Sequence, residues 1–208
     1  MKKTITCVLF DYGKVISRPQ TLEAKQKQAE LAGLDLETFQ RLWGQYRTSY
    51  DQGVIDGATY WSRIMAHGRT SPDPDRITAL IEADTESWHP TVDWILIWAG
   101  TLRASGIRTG ILSNMPPELV ADTQQQDWIT DFSPRYFSAD IKANKPYAQI
   151  YDRVIQDLGT GPAETLFIED RDDNVRGARR AGLSVIHHVS GETTRQQIVE
   201  GYDLPSPE

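Results

Sequence analysis

Apolar residues in this chain fall into two rhythms, short continuous runs and longer stretches at helical spacing. The first run, Ile5 to Phe10, is short enough for a strand buried on both faces. It stops at Asp11, with Gly13 and Lys14 just beyond. A strand that delivers an acid to its carboxyl end, with a glycine turn after it, is how open α/β sheets build sites. Arg18-Pro19 then breaks the pattern. From Thr21 to about Met65 the spacing is helical: Ala24, Ala29, Leu31 and Ala32 up to Gly33, then Leu36, Phe39, Leu42, Trp43 and Tyr46. Turns at Asp51-Gln52-Gly53 and Asp56-Gly57 lead to a further apolar face of Tyr60, Trp61, Ile64 and Met65. Pro72-Asp73-Pro74 precedes another helix with Ile77, Leu80 and Ile81. No strand pattern occurs between Pro19 and Trp88, so the reading is an all-helical insertion of about 70 residues.

After His89-Pro90 strands and helices alternate. Val92 to Leu102 predicts a helix stopped at Gly106, and Thr109 to Leu112 a strand ending in Ser113-Asn114. A polar helix from Pro117 to about Trp128 and a short strand from Tyr136 to Ser138 follow. Lys145-Pro146 opens a helix carrying Ile150, Val154, Ile155 and Leu158, closed by Gly159. Thr165 to Ile168 predicts a strand ending in Glu169-Asp170; Val175, Ala178 and Ala181 line the next helix, and Leu183 to Val189 is the last strand. From Ser190 the tail is polar and weakly patterned. This alternation predicts an α/β fold, a Rossmann-like parallel sheet with helices on both faces, plus a small all-helical cap inserted after the first strand. The expected division is a core of residues 1–17 and 90–208 and a helical unit over 18–89. If the strands ending in Ser113 and Glu169 flank the strand ending in Asp11, all these polar groups meet at one rim.

Composition narrows the partners. Hydrophobic residues at 39%, with six Trp, are enough for a real core. A net charge of −7 argues against a nucleic-acid or anionic-membrane surface. The single cysteine, Cys7, excludes an intramolecular disulfide and, inside an apolar run, reads as buried filler. Met1-Lys2-Lys3-Thr4 does not read as a signal peptide, and no apolar run approaches membrane-spanning length. The expectation is a soluble cytoplasmic protein; the pattern sets no oligomeric state.

Gathered at one rim, Asp11, Glu169 and Asp170 would repel one another and any phosphate dianion. A hard divalent cation such as Mg²⁺ resolves this, since it prefers carboxylate and carbonyl oxygens and commonly takes substrate phosphate as a ligand. Ser113, the backbone N–H groups after it and the Lys145 ammonium suit phosphate oxygens. A carboxylate close to phosphorus can act as nucleophile and form an aspartyl-phosphate. Each part also has an ordinary reading: Ser113-Asn114 as a cap or turn, Lys145 and Lys14 as solvated lysines, Glu169 to Asp173 as an acidic surface turn.

In order, Phe10-Asp11-Tyr12-Gly13-Lys14-Val15, Ile111-Leu112-Ser113-Asn114, Lys145-Pro146 and Phe167-Ile168-Glu169-Asp170 with Asn174-Val175 resemble the four motifs of the haloacid dehalogenase superfamily. The resemblance runs from about Ile5 to Val189 and matches the insertion to the family's helical cap. It implies Asp11 as nucleophile, Ser113, Asn114 and Lys145 as phosphate-binding groups, and Asp11, the Gly13 carbonyl and Asp170 as Mg²⁺ ligands with Glu169 in support. The implied activity is hydrolysis of a small phosphorylated metabolite. Gly13 departs from the pattern, because most phosphatases of the family carry there a second aspartate that protonates the leaving oxygen. A branch with an Asp-x-Gly-x-Val start, similar to this one, includes sugar-phosphate phosphatases. A dehalogenase-type hydrolase is the alternative, since a halide leaves without a proton, although dehalogenases of the family work without metal. A catalytically weak relative that binds a phosphorylated ligand or a partner protein is the third reading. Cap residues Arg47, Tyr50, Asp51, Tyr60 and Trp61 face either the site or the cap's own interior, with packing expected for the aromatics.

Overall fold

The computed structural model describes residues 2–68 and 71–207. Its centre is a five-stranded, fully parallel sheet in the order β3-β2-β1-β4-β5, built from β1 (Cys7–Phe10), β2 (Arg108–Ser113), β3 (Arg135–Phe137), β4 (Thr165–Glu169) and β5 (Ser184–His187). The strands ending in Ser113 and Glu169 therefore flank the strand that runs into Asp11, as the sequence predicts. The order reverses beside β1, which places the crevice there.

Side-chain alternation splits the sheet's apolar residues between two layers. Val8, Phe10, Ile111, Leu166, Ile168 and Ile186 join a cluster with α5 (Asp93–Ala104), α6 (Pro117–Thr123) and α10 (Gly191–Gly201). Cys7, Leu9, Leu112 and Phe167 join a second with α8 (Ala148–Leu158) and α9 (Asp172–Arg180). Coverage of both faces explains why the strands read as unbroken apolar runs. Cys7 is a free, fully buried thiol, and that burial pushes its pKa up to about 11.

Among the described residues four α-helices lie between β1 and α5: α1 (Leu22–Ala32), α2 (Leu36–Asp51), α3 (Gly57–Met65) and α4 (Pro74–Glu86). Thr21, Asp35, Asp56 and Asp73 cap them, each side chain accepting from the N–H three residues on. They bury a third cluster of their own, including Phe39, Leu42, Tyr50, Tyr60, Trp61 and Ile64. The chain leaves the sheet layer at Ser17 and returns at Thr91, and these residues pair in an antiparallel bridge. Arg18 N donates to Pro90 O (2.6 Å) and Val92 N to Ile16 O (2.8 Å), so the two crossings hold each other.

Three segments differ from the sequence reading. The helix at Pro117 ends at Thr123, because Gln124-Gln125-Gln126 offers nothing apolar to bury; a tight turn over Asp127–Asp131 then stacks Trp128 on Tyr12. Ser138 does not end β3 but opens a one-turn helix, α7 (Ser138–Ile141). The polar tail contains α10, capped by Ser190 and anchored by Ile198, one of only two buried residues on it. With so few core positions its period was too weak to read. No helix among the described residues is long and apolar enough to cross a membrane.

Gly110 in β2 has a specific steric reason. A Cβ there would clash with Pro134 O and lie 2.8 Å from Leu9 Cδ2. Overpacking of this kind costs about 1–3 kcal/mol, and at roughly 2–4 °C per kcal/mol for a chain of this size Gly110→Ala is expected to melt several degrees lower. A thermal scan that finds the variant within a degree of wild type contradicts that packing.

Candidate active site

The register explains why the acids meet. Phe10 pairs with Ile111 on one side and Ile168 on the other, and Asp11 N donates to Ile168 O (2.9 Å). One residue further, Asp11 stands level with Leu112 and Glu169, with Ser113 and Asp170 a step beyond. Asp11 also continues the face of Cys7 and Leu9, the face that α8 covers and that Lys145 approaches from the start of that helix.

Lys145 is the hub. Its ammonium lies 2.9 Å from Asp11 Oδ1, 2.6 Å from Glu169 Oε2 and 2.9 Å from Leu112 O, which uses all three of its donors. It also sits 5.0 Å over the Phe167 ring. Burial works against the ammonium, but Asp11 and Glu169 together outweigh it and hold the Lys145 pKa above the ordinary lysine value. Burial, and then the Asp11 charge, push the Glu169 carboxyl pKa up, with Lys145 opposing them. Asn114 fixes the lysine's backbone: its Oδ1 accepts from Lys145 N (2.8 Å) and its Nδ2 donates to Lys145 O (2.9 Å). The Asn114 side chain is thus committed to positioning Lys145.

The three acids divide their work. Asp11 Oδ1 accepts from both Tyr12 N (2.7 Å) and Lys145. Glu169 is fully buried with both oxygens engaged, Oε2 by Lys145 and Oε1 by Arg171 N (2.9 Å). Asp170 pairs with Lys14 (3.1 Å), whose side chain is half exposed but not freely solvated. Asp172 and Asp173 both pair with Arg176 on the next turn of α9 and belong to the surface. One carboxylate oxygen from each of Asp11, Glu169 and Asp170 lies within 4.8 Å of the others. This all-oxygen donor set, with more negative charge than Lys145 and Lys14 offset, fits a hard divalent cation; Asp11 and Asp170 are the acids placed to ligate one, while Glu169 braces Lys145.

The turn after Asp11 has two i→i+5 bonds, Ile16 N to Asp11 O and Ser17 N to Tyr12 O. Inside it Gly13 (φ −61°, ψ 122°) and Lys14 (φ 63°, ψ 4°) take the two central positions of a type II turn. The positive φ falls on Lys14, not on the glycine. Gly13 is therefore not required for backbone reasons, and a Cβ there would meet only the Trp88 ring, at an ordinary 3.5 Å.

A cleft of ≈ 650 Å³ opens above these groups, lined from below by Asp11, Gly13, Lys14, Ser113, Asn114, Lys145, Asp170 and Asn174. From α2 it is lined by Phe39, Gln40, Trp43, Arg47, Thr48 and Asp51, and at the crossing by Trp88. Tyr50, Tyr60 and Trp61 instead lie inside the helical layer, leaving Arg47 and Asp51 as the members of that sequence-marked set that face the cleft. Sequence reasoning passed over Asn144, Arg171 and Trp88, which also line it. Adjacency to Lys145 and Asp170 was the available signal for the first two; for Trp88 there was none.

A family model described as haloacid dehalogenase-like hydrolase matches residues 5–182. The chain belongs to that family. Among its curated relatives, the (S)-2-haloacid dehalogenase of Xanthobacter autotrophicus is 26% identical over 87% of this chain and 68% of its own. The D-ribitol-5-phosphate phosphatase of Bacteroides thetaiotaomicron is 24% identical over 92% of this chain and 95% of its own. A HAD-family enzyme of B. thetaiotaomicron solved with magnesium and inorganic phosphate superposes with a TM-score of 0.72 at 21% identity, covering 90% of this chain and 96% of its own. The structure of the X. autotrophicus L-2-haloacid dehalogenase gives 0.65 at 22% identity, covering 97% and 85%. As a HAD-like hydrolase this chain has both phosphatases and dehalogenases among its kin, so the choice rests on its own site.

Proposed function

We propose that this HAD-like hydrolase is a Mg²⁺-dependent phosphatase acting on a small phosphorylated metabolite through an aspartyl-phosphate on Asp11. The observation that carries the reading is the division of the acids: Glu169 is saturated internally, and Asp11 and Asp170 remain as a carboxylate pair at the cleft floor. Asp11, the Gly13 carbonyl and Asp170 would hold the ion, with Glu169 behind them; bound there, it supplies positive charge against the phosphoryl oxygens. The Asp11 oxygen without the Tyr12 and Lys145 bonds attacks phosphorus. Ser113 Oγ and the Asn114 N–H hold phosphoryl oxygens, and the Lys145 charge offsets the negative charge crowded between Asp11 and the phosphate. Helices α1–α4 act as the cap over 18–89, and the paired crossings at Ser17 and Thr91 form its hinge. A sugar or other polyol phosphate suits a wall that mixes Trp43 and Trp88 with Gln40, Thr48 and Asp51.

The test is turnover of a panel of metabolite phosphates with Mg²⁺ and with a chelator. Release of phosphate that stops on chelation is expected; no release from any member contradicts the reading. Gly13 gives the dehalogenase reading its one specific support, since a departing halide needs no proton. Halide release from 2-haloacids that persists with chelator would favour it.

A further inference from the structure

The phosphatase reading leaves one gap, the source of the proton for the leaving alcohol. Gly13 has no side chain, Lys145 has all three donors engaged, and Glu169 has both oxygens engaged. Asp51, the last residue of α2, lies at the cleft and has no part in the chemistry described so far.

Two contacts fix the end of α2 that carries Asp51 at the cleft it shares with Asp11, Ser113 and Asp170. Ser138 Oγ donates to Asp51 O while accepting from Met115 N (2.9 Å), so a single hydroxyl joins the end of α2 to the loop that follows Ser113. One turn back on α2, Thr48 O accepts from Asn144 Nδ2 (2.8 Å), the neighbour of Lys145. Arg171, beside Asp170 on the third loop, lines the same cleft. The loops that carry Ser113 and Lys145 are thus tied to the last turn of α2, and all three loops border the cleft with Asp51.

Its carboxylate takes up a proton more readily than an ordinary aspartate. Arg47 Nε holds Oδ1 (2.6 Å), and the other face of the same guanidinium holds Asp84 Oδ2 (2.8 Å). One buried arginine between two carboxylates leaves one negative charge in excess, and burial disfavours that charge. Asp84 is the more enclosed partner, with its side chain 4% exposed against 13% for Asp51, and Gln20 Nε2 also donates to it (3.1 Å). Asp51 Oδ2 has no hydrogen-bond partner among the described residues. Burial raises the Asp51 pKa to about 6, with Arg47 and Arg171 opposing and Asp84 assisting, so both protonation states are accessible near neutrality.

We propose that Asp51 supplies the general acid–base function absent at Gly13. As the Asp11–phosphorus bond forms and the bond from phosphorus to the ester oxygen breaks, the Asp51 carboxyl gives its proton to that oxygen and the alcohol leaves. A water then attacks phosphorus and gives one proton to the Asp51 carboxylate. The Asp11–phosphorus bond breaks, inorganic phosphate departs, and both side chains return to their starting states.

The proposal rests on the phosphatase reading, and its test separates the two. Compare p-nitrophenyl phosphate, whose leaving group needs no proton, with an alkyl phosphate, whose leaving group does. Asp51→Asn keeps the volume and an acceptor for Arg47, which Asp84 continues to hold. It is expected to lower kcat/KM, which reports the steps through phosphorylation of Asp11, on the alkyl ester by about 10²-fold or more and on the aryl ester by at least tenfold less. Equal loss of kcat/KM on both would show a structural role and overturn the proposal. Wild type itself gives an independent reading should Asp51→Asn not fold. With an acid supplied to the leaving oxygen, kcat/KM on the alkyl ester should lie within about 10²-fold of that on the aryl ester; a deficit on the order of 10⁴-fold or more would mean that wild type lacks an acid and would overturn the proposal. Wild type that hydrolyses neither ester contradicts the phosphatase reading itself.

Discussion

Replacing Lys145 with methionine is expected to lower both stability and activity more than any other single change at the site. The ammonium is fully buried between Asp11 and Glu169, and its removal leaves two carboxylates facing each other without a counter-charge. Breaking a buried pair this way costs about 3–5 kcal/mol, which at roughly 2–4 °C per kcal/mol is a fall in Tm of about 10 °C. The loss comes from the stranded charges, so Lys145→Met with Glu169→Gln should regain much of it. Activity should not return with the fold, because a positioned cation beside the reacting phosphate is worth on the order of 10²–10³-fold. Thermal scans and phosphoester turnover on the two variants check both parts. A double variant no more stable than the single one would show that the lysine works by packing alone.

Asp11→Asn should leave the fold nearly intact and remove the chemistry. The amide oxygen can still accept from Tyr12 N, and Lys145 keeps Glu169 as a partner. Without a carboxylate to attack phosphorus, turnover is expected to fall on the order of 10⁴-fold or more, as for other nucleophile deletions. Inorganic phosphate should bind the variant at least as well as wild type, because one negative charge has left the floor of the cleft. Turnover within tenfold of wild type would remove Asp11 from the role of nucleophile.

Much of this was legible in the sequence because strong local signals coincide with the sheet. β1, β2 and β4 are buried on both faces, and their apolar runs end where the polar groups begin. Those endings located Asp11, Ser113-Asn114 and Glu169-Asp170 before any neighbour was known. What stayed hidden depends on pairings that no local pattern encodes. The commitment of the Asn114 amide to Lys145, and of both Glu169 oxygens to Lys145 and Arg171 N, are contacts between separate loops. Lys14 read as a solvated lysine, yet it takes the positive φ of a type II turn and reaches Asp170. Arg47 and Asp51 could be marked but not assigned, since a helix that serves both as a cleft wall and as a packed layer carries one period for two purposes. The helix at the tail was missed because Thr194 and Ile198 alone tie it to the core.

The central claim is that Asp11 attacks phosphorus. Rapid acid quench of wild type turning over p-nitrophenyl phosphate with Mg²⁺, followed by peptide mass spectrometry, tests it most directly. A phosphate adduct on Asp11 is expected, lost with chelator and absent from Asp11→Asn. Steady turnover with no adduct at Asp11, or with the adduct on another residue, would contradict the account.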